Sequence, residues 1–368
     1  MPGYDGHCRD LNVVRSERTA LRFKVPREGE TIVHDAVRGD VVVSNSAIED
    51  FVVARSNGAP LYLLANMVDD RLDHITHVIR GEDHISNTPK QILLWQALDE
   101  AEGVVVPLPT YAHLPLLVNE QRKKLSKRKD PVSVEAYRAE GYLPEAFVNF
   151  LGLLGWSPRG DQEKTTLEAM AKEFELSDVN HSPAYFDVAK LRNLNGTYIR
   201  EMTPEAFLEA IGPWVDPASS WRPEGYDVPW PAERYDPAKM AAIAPAVHER
   251  VQVLSEVPAM VDFLFCDAVP MDEAAWAKAI TGDPDASRIL DAALEAYRDA
   301  AFAPEVLHEA TTALGDALGL KLRKVQAPIR VAVTGKSVGP PLFESLVVLG
   351  RDEVLRRLEV ARASLGAR

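Results

Sequence analysis

The segment from Arg122 to Lys129 has a composition that indicates anion binding. Six of its eight residues are lysine or arginine, in a chain of 368 residues whose formal net charge is -14. Like charges held this close repel one another, so an anionic ligand that visits the segment best explains it. A solvated surface loop is the alternative interpretation. It would be the better one if this basic run stood alone, without informative sequence around it. The sequence on either side decides between the two.

Arg80 is the second candidate, because it follows an apolar run from Ile75 to Ile79. The run predicts a short buried strand, and α/β sheets place ligand-binding groups where such strands end. An arginine at that position suits bidentate capture of a carboxylate. An ion pair with Glu82 or Asp83 inside the fold is the alternative.

The elements around these candidates are of the α/β type. The stretch Leu61–Met67 is mostly apolar, and Asn87-Thr88-Pro89 offers a capping side chain and an early proline for a helix over Lys90–Asp99. A strand, a helix, a second strand and then a charged loop make half of a doubly wound nucleotide-binding unit. The predicted anion is therefore the phosphate group of a nucleotide.

The flanking segments differ in their periodicity. Residues 1–57 contain short β-type runs separated by turn residues, which predicts antiparallel strands. Residues 131–212 and 238–368 have mainly helical patterns. The stretch from about Trp214 to Pro237, rich in proline, tryptophan and acidic residues, predicts a linker or a poorly regular connection.

Composition excludes several classes of protein. The 46% hydrophobic and 26% charged fractions are those of a soluble globular protein, and no apolar run is long enough to span a bilayer. Neither a signal-peptide pattern nor a disulfide framework is present, since the cysteines are only Cys8 and Cys266. A cytoplasmic location is expected. With a pI near 5.2, any RNA must be bound through local basic patches.

An ordered series of motifs resembles bacterial glutamyl-tRNA synthetase, a class I aminoacyl-tRNA synthetase. The series includes Val68-Asp69-Asp70, Ile75 to His84, Asn87-Thr88-Pro89, Ala112 to Leu117, Lys124 to Arg128, Gly141 to Ala146, Asn149 to Trp156, Tyr198-Ile199-Arg200, Pro328 to Gly335 and Pro341 to Glu344. In this comparison Lys124-Leu125-Ser126-Lys127-Arg128 is similar to the family's KMSKS signature.

The resemblance implies an α/β plus all-α fold. It predicts the second half of a class I Rossmann-like catalytic domain with a remnant of the inserted acceptor-binding domain, followed by helical stem-contact and anticodon-binding domains. The implied boundaries are 1–60 for the remnant, 61–120 for the catalytic half, 121–205 for the KMSKS loop and stem-contact domain, and 206–288 and 289–368 for two anticodon-binding subdomains.

The resemblance also implies a function and a site. The function is ATP-dependent activation of L-glutamate and its transfer to the 3′ end of tRNA(Glu). Charge on the phosphates would be stabilised by loop lysines. The implied catalytic residues are Lys124, Lys127 and Ser126; the glutamate-binding residues are Tyr62, Asn66 and Arg80; the ATP-binding residues are Lys127, Leu116, Leu117 and His84; the tRNA-binding residues are Lys190, Arg200, Arg250 and Arg330.

The expected partners are tRNA(Glu), L-glutamate and ATP with Mg²⁺ as substrate, without a membrane, and the protein is expected to be a monomer. A zinc site is not expected. His74 and His77 have a suggestive spacing but lack further ligands. Cys8 resembles the last ligand of a zinc knuckle found in some family members, whose other cysteines would precede Met1.

The sequence departs from the family in one respect. The HIGH signature of the first nucleotide-binding half does not occur in it. An N-terminally truncated gene model or a fragment is therefore expected, and this chain alone is expected to be inactive. A non-catalytic tRNA-binding fragment or paralogue is the alternative. A glutaminyl enzyme is disfavoured by the helical C-terminal pattern, and a glutamyl-queuosine enzyme by the length of the chain.

Overall fold

The computed structural model describes residues 4–11, 13–14, 16–125, 133–160, 163–266 and 268–366. The chain divides into two compact units, Met1–Lys129 with Val148–Asp187, and Asp130–Phe147 with Val188–Arg368. The first is a mixed α/β unit and the second is helical. The predicted fold class, α/β plus all-α, is confirmed.

The first part of the chain contains both strands and helices. Up to residue 187 the strands and α-helices are β1 (Leu21–Arg22), β2 (Glu30–Asp35), β3 (Gly39–Ser44), β4 (Val52–Ala54), α1 (Tyr62–Leu72), β5 (His77–Gly81), α2 (Thr88–Glu102), β6 (Thr110–Leu114), β7 (Leu117–Val118), α3 (Val134–Glu140), α4 (Pro144–Gly152), α5 (Leu167–Glu173) and β8 (Ala184–Tyr185). The short β-type runs predicted within residues 1–57 correspond to β1 to β4.

The sheet that carries the site has the strand order β3-β2-β6-β5. β2 and β3 form an antiparallel hairpin, whereas β2–β6 and β5–β6 are parallel pairs. α2 connects β5 to β6, as predicted for half of a doubly wound unit, and buries Ile92, Leu93 and Trp95. The hairpin from residues 30–44 thus belongs to the same sheet as β5 and β6, and this sheet continues across the predicted boundary at residues 60 and 61.

Two local predictions were wrong. The run from Ile75 to Ile79 is not a buried strand: β5 begins at His77 and lies at the sheet edge, where Ile79 is 49% exposed. Asn87 makes no capping hydrogen bond, because its backbone is already helical and follows a 3₁₀ turn from Glu82 to His84.

Helices form the second unit. They are α3 and the first part of α4, then α6 (Val188–Arg200), α7 (Pro204–Val215), α8 (Pro237–His248), α9 (Val257–Phe265), α10 (Glu273–Trp276) with a π-helical turn over Ala277–Thr281, α11 (Ala286–Arg298), α12 (Pro304–Leu318), α13 (Leu322–Thr334), α14 (Leu342–Leu349) and α15 (Arg351–Gly366). Their apolar faces share one extended core.

The connection between α7 and α8 is irregular, as predicted, but it does not behave as a linker. Trp214 and Trp230 are each 4% exposed and belong to the core of the second unit. The Trp230 indole N–H donates to the Val215 carbonyl at 3.1 Å, and the Tyr226 hydroxyl donates to the Trp214 carbonyl at 2.9 Å. Burial of these aromatic side chains holds a segment that has little regular secondary structure.

Glu353 on α15 gives a pH dependence to the stability of the second unit. Hydrogen bonds from Arg356, set against partial burial, and from Arg357 lower the pKa of Glu353 to about 2. A carboxylate with a depressed pKa stabilises the fold above its unfolded pKa and loses that contribution as pH falls. The free energy of unfolding of wild type minus that of Glu353→Gln should therefore shrink as pH falls from about 4.5 towards about 2. Denaturant titrations of both proteins at a series of pH values measure this; a constant difference would refute it.

Candidate active site

Arg80 lies near the end of β5, opposite His113 of the neighbouring strand β6. Its Nε–H donates to His113 Nε2 at 3.3 Å, and its Nη2 donates to Thr88 Oγ1 and Gln91 Oε1, both at 2.7 Å. Its Nη1 donates to the Tyr62 hydroxyl at 3.4 Å. The α1 and α2 helices and β6 thus supply neutral acceptors that hold the guanidinium group from several sides.

The alternative of an ion pair between Arg80 and its neighbours in sequence is wrong. Glu82 pairs with Arg38, and Asp83 pairs with Lys124. Within the described part of the chain, no ion pair joins Arg80 to a carboxylate at 4 Å or less. The hydrogen-bond partners of Arg80 are therefore uncharged, and Asp70, a carboxylate on which its charge acts, lies beyond ion-pair distance, an arrangement suited to an anionic ligand.

The predicted bidentate geometry is not available without a rearrangement. The Nε–H and both Nη2 hydrogens of Arg80 are committed to protein acceptors. A planar fork on a carboxylate needs two neighbouring donors of the guanidinium group, and each such pair includes one of these. The group that remains is Nη1, beside the Tyr62 hydroxyl.

Tyr62 and Asn66 lie one turn apart on α1, as expected from their spacing. Tyr62 is 50% exposed, so it is not a core aromatic residue. Asn66 Oδ1 accepts a hydrogen bond from Gln91 Nε2 at 2.7 Å, and Gln91 in turn accepts from Arg80. The structure therefore brings the three predicted glutamate-binding residues together around one cluster of hydrogen bonds.

His113 and Asp35 complete this cluster, although the sequence did not single out either residue as functional. Both side chains are fully buried, and His113 Nδ1 lies 2.5 Å from Asp35 Oδ2. Burial lowers the pKa of His113, and the Asp35 hydrogen bond opposes this only in part. Burial acts to raise the pKa of Asp35, but hydrogen bonds from His113, Arg38 and Val37 outweigh it and lower that pKa. The signal for His113 was its place in the motif Ala112 to Leu117.

The basic loop is described as far as Leu125. A tight turn from Asn119 to Lys123 begins it, with Asn119 Oδ1 accepting from the Lys123 N–H at 3.1 Å. Lys124 Nζ then lies 2.9 Å from Asp83 Oδ2, with the two side chains 59% and 47% exposed. An ion pair this exposed contributes about 0–1 kcal/mol, so Lys124 can leave Asp83 for a phosphate at little cost. Two predicted catalytic residues, Ser126 and Lys127, lie outside the described residues.

The three other predicted ATP-binding residues lie close to these groups along the chain. The Leu116 N–H donates to Glu82 Oε1 at 3.1 Å, and its carbonyl accepts from Ala184. The Leu117 carbonyl accepts from the Leu125 N–H, so this strand positions the start of the basic loop. The ring of His84 lies 5.8 Å from the ring of Tyr62, which places it beside the Arg80 cluster.

The cations predicted to bind tRNA all lie in the second unit. Lys190 and Arg200 belong to α6, and Arg200 is exposed. Arg250 follows α8 and is also exposed. Arg330 on α13 is partly buried and donates to the Pro340 carbonyl at 2.7 Å; burial and the charge of Arg250 lower its pKa. Arg330 therefore has a structural contact as well as a cationic neighbour.

A cleft of about 830 Å³ lies beside Arg330 on the second unit. Its lining includes the basic residues Lys278, Lys321, Arg323, Lys324 and Arg330, with Asp272 and Asp283 at the same cleft. Lys324 pairs with Asp283 at 2.7 Å. The net charge of these seven side chains is positive, in contrast to the chain as a whole.

Two family models match this chain. The catalytic domain of the class I tRNA synthetases (E and Q) matches residues 2–193, and an anticodon binding domain matches residues 206–362. The glutamate–tRNA ligase of Frankia alni is 49% identical over 365 residues, which are 99% of this chain and 74% of that relative. The chain belongs to the glutamate–tRNA ligase family.

Other members of the glutamate–tRNA ligase family agree with this assignment. The enzyme of Thermobifida fusca is 50% identical over 367 residues, covering 99% of this chain and 74% of the relative. A crystal structure of a glutamate tRNA ligase from Elizabethkingia meningosepticum in complex with its amino acid superposes with a TM-score of 0.74. That protein is 29% identical, and the match covers 94% of this chain and 68% of the other.

Within the residues that the structure describes, His, Cys, Asp and Glu side chains do not gather in groups of three or more that could hold a metal ion. In the same part of the chain, no helix has the length and apolar character needed to cross a bilayer.

Proposed function

We propose that this chain of the glutamate–tRNA ligase family carries the glutamate side-chain pocket, the phosphate-binding loop and the tRNA-binding helices of the ligase. The observation that carries the proposal is the cluster around Arg80. Neutral acceptors hold this guanidinium group beside Tyr62 and Asn66, and none of its hydrogen-bond partners neutralises its charge.

The glutamate side chain would bind to Arg80 Nη1 and the Tyr62 hydroxyl. Asn66 is held through Gln91, so its amide nitrogen can face the same ligand. A side-chain carboxylate forms an ion pair with Arg80, whereas the amide of glutamine is neutral and its NH₂ group cannot accept from Arg80 or Tyr62. This difference favours glutamate over its neutral analogue.

The loop would act on the phosphates of ATP, which is used with Mg²⁺ as substrate. A glutamate α-carboxylate oxygen attacks the α-phosphorus of ATP, the new C–O–P bond forms and the bond to pyrophosphate breaks. Lys124 and Lys127 would stabilise negative charge on the phosphoryl oxygens as pyrophosphate leaves, with Ser126 offering a hydroxyl. Leu116, Leu117 and His84 would border the nucleotide. A ribose hydroxyl at the 3′ end of tRNA(Glu) then attacks the glutamyl carbonyl, and AMP leaves.

The second unit would contact tRNA. Lys190 and Arg200 on α6 suit the phosphates of the stem, in the domain proposed for residues 121–205. Arg250, Arg330 and the basic cleft belong to the proposed anticodon-binding subdomains, residues 206–288 and 289–368. Residues 1–60 and 61–120 are proposed as the acceptor-end remnant and the catalytic half. We further propose that the protein acts in the cytoplasm as a monomer.

A second candidate function is a tRNA-binding module without catalysis. The specific observation that favours it is the basic cleft, because local cations must offset repulsion between RNA and a chain of net charge -14. This candidate predicts binding of tRNA with a steep salt dependence and no dependence on glutamate.

The test measures ATP–pyrophosphate exchange by this chain with tRNA(Glu), with and without glutamate, alongside tRNA binding at several salt concentrations. A chimaera with a HIGH-containing segment from a relative placed upstream is assayed in parallel. Exchange that requires glutamate in the chimaera, with none in this chain alone, is the expected result. Steep salt-dependent tRNA binding with no exchange in the chimaera would favour the second candidate, and a flat salt dependence would count against both.

A further inference from the structure

The side chains of Asp35 and His113 form a buried hydrogen bond that links the β2–β3 hairpin to β6. Asp35 lies at the end of β2, where its Oδ1 accepts from the N–H groups of Val37 and Arg38 at 3.0 and 2.8 Å. The same carboxylate accepts from the His113 backbone N–H at 3.1 Å. Because the carboxylate is surrounded by donors and fully buried, it acts as a fixed anion facing the His113 ring.

This anion decides the tautomer of His113. A carboxylate is an acceptor, so the hydrogen between it and the ring lies on Nδ1, and a neutral ring then leaves Nε2 as an acceptor. The Arg80 Nε–H at 3.3 Å and the Thr88 hydroxyl at 3.0 Å both converge on that nitrogen. A proton on Nε2 would instead face the guanidinium donor and remove the hydrogen bond.

The acceptor at His113 Nε2 helps to fix the orientation of the Arg80 guanidinium group. With Nε–H bound to His113 and Nη2 bound to Thr88 and Gln91, three of the five N–H groups point into the protein. Nη1 is then the end turned towards Tyr62. An arginine side chain has several rotatable bonds, so fixing it before the ligand arrives removes an ordering cost from binding.

We propose that Asp35 and His113 are positioning residues that clamp Arg80 for the glutamate side chain, with the ionised carboxylate fixing the imidazole as an acceptor. The proposal rests on the proposed function, since it assigns the clamped group its ligand. Neither residue touches the ligand. The hairpin of residues 30–44 therefore contributes to specificity for the amino acid through a hydrogen-bonded chain from Asp35 to Nη1 of Arg80.

The first arm of the test measures the hydrogen bond between His113 and Arg80 in the chain without ligand. With ¹⁵N-labelled histidine and arginine, NMR gives the His113 tautomer and the rate at which the Arg80 Nε hydrogen exchanges with water. The expected wild-type state is a neutral ring with hydrogen on Nδ1. In Asp35→Asn and His113→Ala, the exchange of the Arg80 Nε hydrogen should be about tenfold faster or more, as for the loss of one charge-assisted hydrogen bond.

Matched variants separate positioning from folding. In His113→Gln the side-chain oxygen can lie near the place of Nε2, so slow exchange at Arg80 should be partly restored. Asp50→Asn is the control for loss of a buried carboxylate in the same unit, because Asp50 is 7% exposed and accepts from Val25 and Arg9. It should leave Arg80 unchanged. A His113 ring that is protonated or carries hydrogen on Nε2 in the wild type would overturn the proposal, and this reading needs no variant to fold.

The second arm titrates each protein with L-glutamate and follows the Arg80 signals. About tenfold weaker binding is expected in Asp35→Asn, with Asp50→Asn equal to wild type. Equal glutamate affinity in wild type and Asp35→Asn, despite altered Arg80 signals, would overturn the positioning role alone. No response of Arg80 to glutamate in the wild type would instead overturn the proposed function, and the tautomer of the first arm would still report on the clamp.

Discussion

Replacing Arg80 by lysine should weaken glutamate binding by about 100-fold or more. Lysine keeps the positive charge but cannot donate to His113, Thr88 and Gln91 at once, so its ammonium group is not held towards Tyr62. Truncating one partner of a charged hydrogen-bonded pair typically costs about 2–5 kcal/mol of binding free energy, and 100-fold lies within that range. Titration of the chain with L-glutamate measures the change.

Arg71 provides the matched control for Arg80, since it lies on α1 in the same unit. It donates to Asp99 at 2.6 Å and to Glu102 at 3.0 Å, and its side chain is 7% exposed. Arg71→Lys should therefore lower the unfolding midpoint and leave glutamate affinity unchanged. If Arg80→Lys instead bound glutamate within about threefold of the wild-type affinity, Arg80 would not be the residue that binds the ligand.

Replacing Arg357 by alanine should destabilise the second unit by about 3 kcal/mol or more. Its side chain is 8% exposed and extends from α15 to the ends of two other helices. Nη1 donates to the Val333 carbonyl at 2.6 Å, and Nη2 donates to the Phe263 carbonyl at 2.9 Å. Both carbonyls lie in the last turns of α13 and α9, so alanine would leave two buried acceptors without these donors.

The neighbouring Arg356 tests this explanation. It donates to the same carboxylate, Glu353, but its side chain is 58% exposed. Arg356→Ala should cost less than about 1 kcal/mol, because an exposed ion pair contributes little. Denaturant unfolding of both variants, followed by a signal from the second unit, measures the two costs. If they are equal, the carbonyl contacts of Arg357 are not the source of its effect.

The sequence determined much of the site because its signals are local. The cationic composition of residues 122–129, the helical spacing of Tyr62 and Asn66, and the arginine near the end of β5 can each be recognised within a few residues. The alternation of strand, helix and strand is also local, and it predicted the parallel β5–α2–β6 unit. Periodicity cannot tell an edge strand from a buried one, however, and β5 was therefore predicted with the wrong exposure.

Only the tertiary structure decided which groups surround Arg80. The parallel register of β5 and β6 sets Arg80 opposite His113, and the pairing of β2 with β6 brings Asp35 from 78 residues away. Register and strand order depend on contacts between distant segments, and no residue pattern within one strand specifies them. The local sequence around Arg80 thus predicted an anion-binding arginine. The fold determined that the hydrogen-bond partners of Arg80 among the described residues are uncharged, and that Nη1 faces Tyr62 while His113, held by Asp35, accepts from Nε–H.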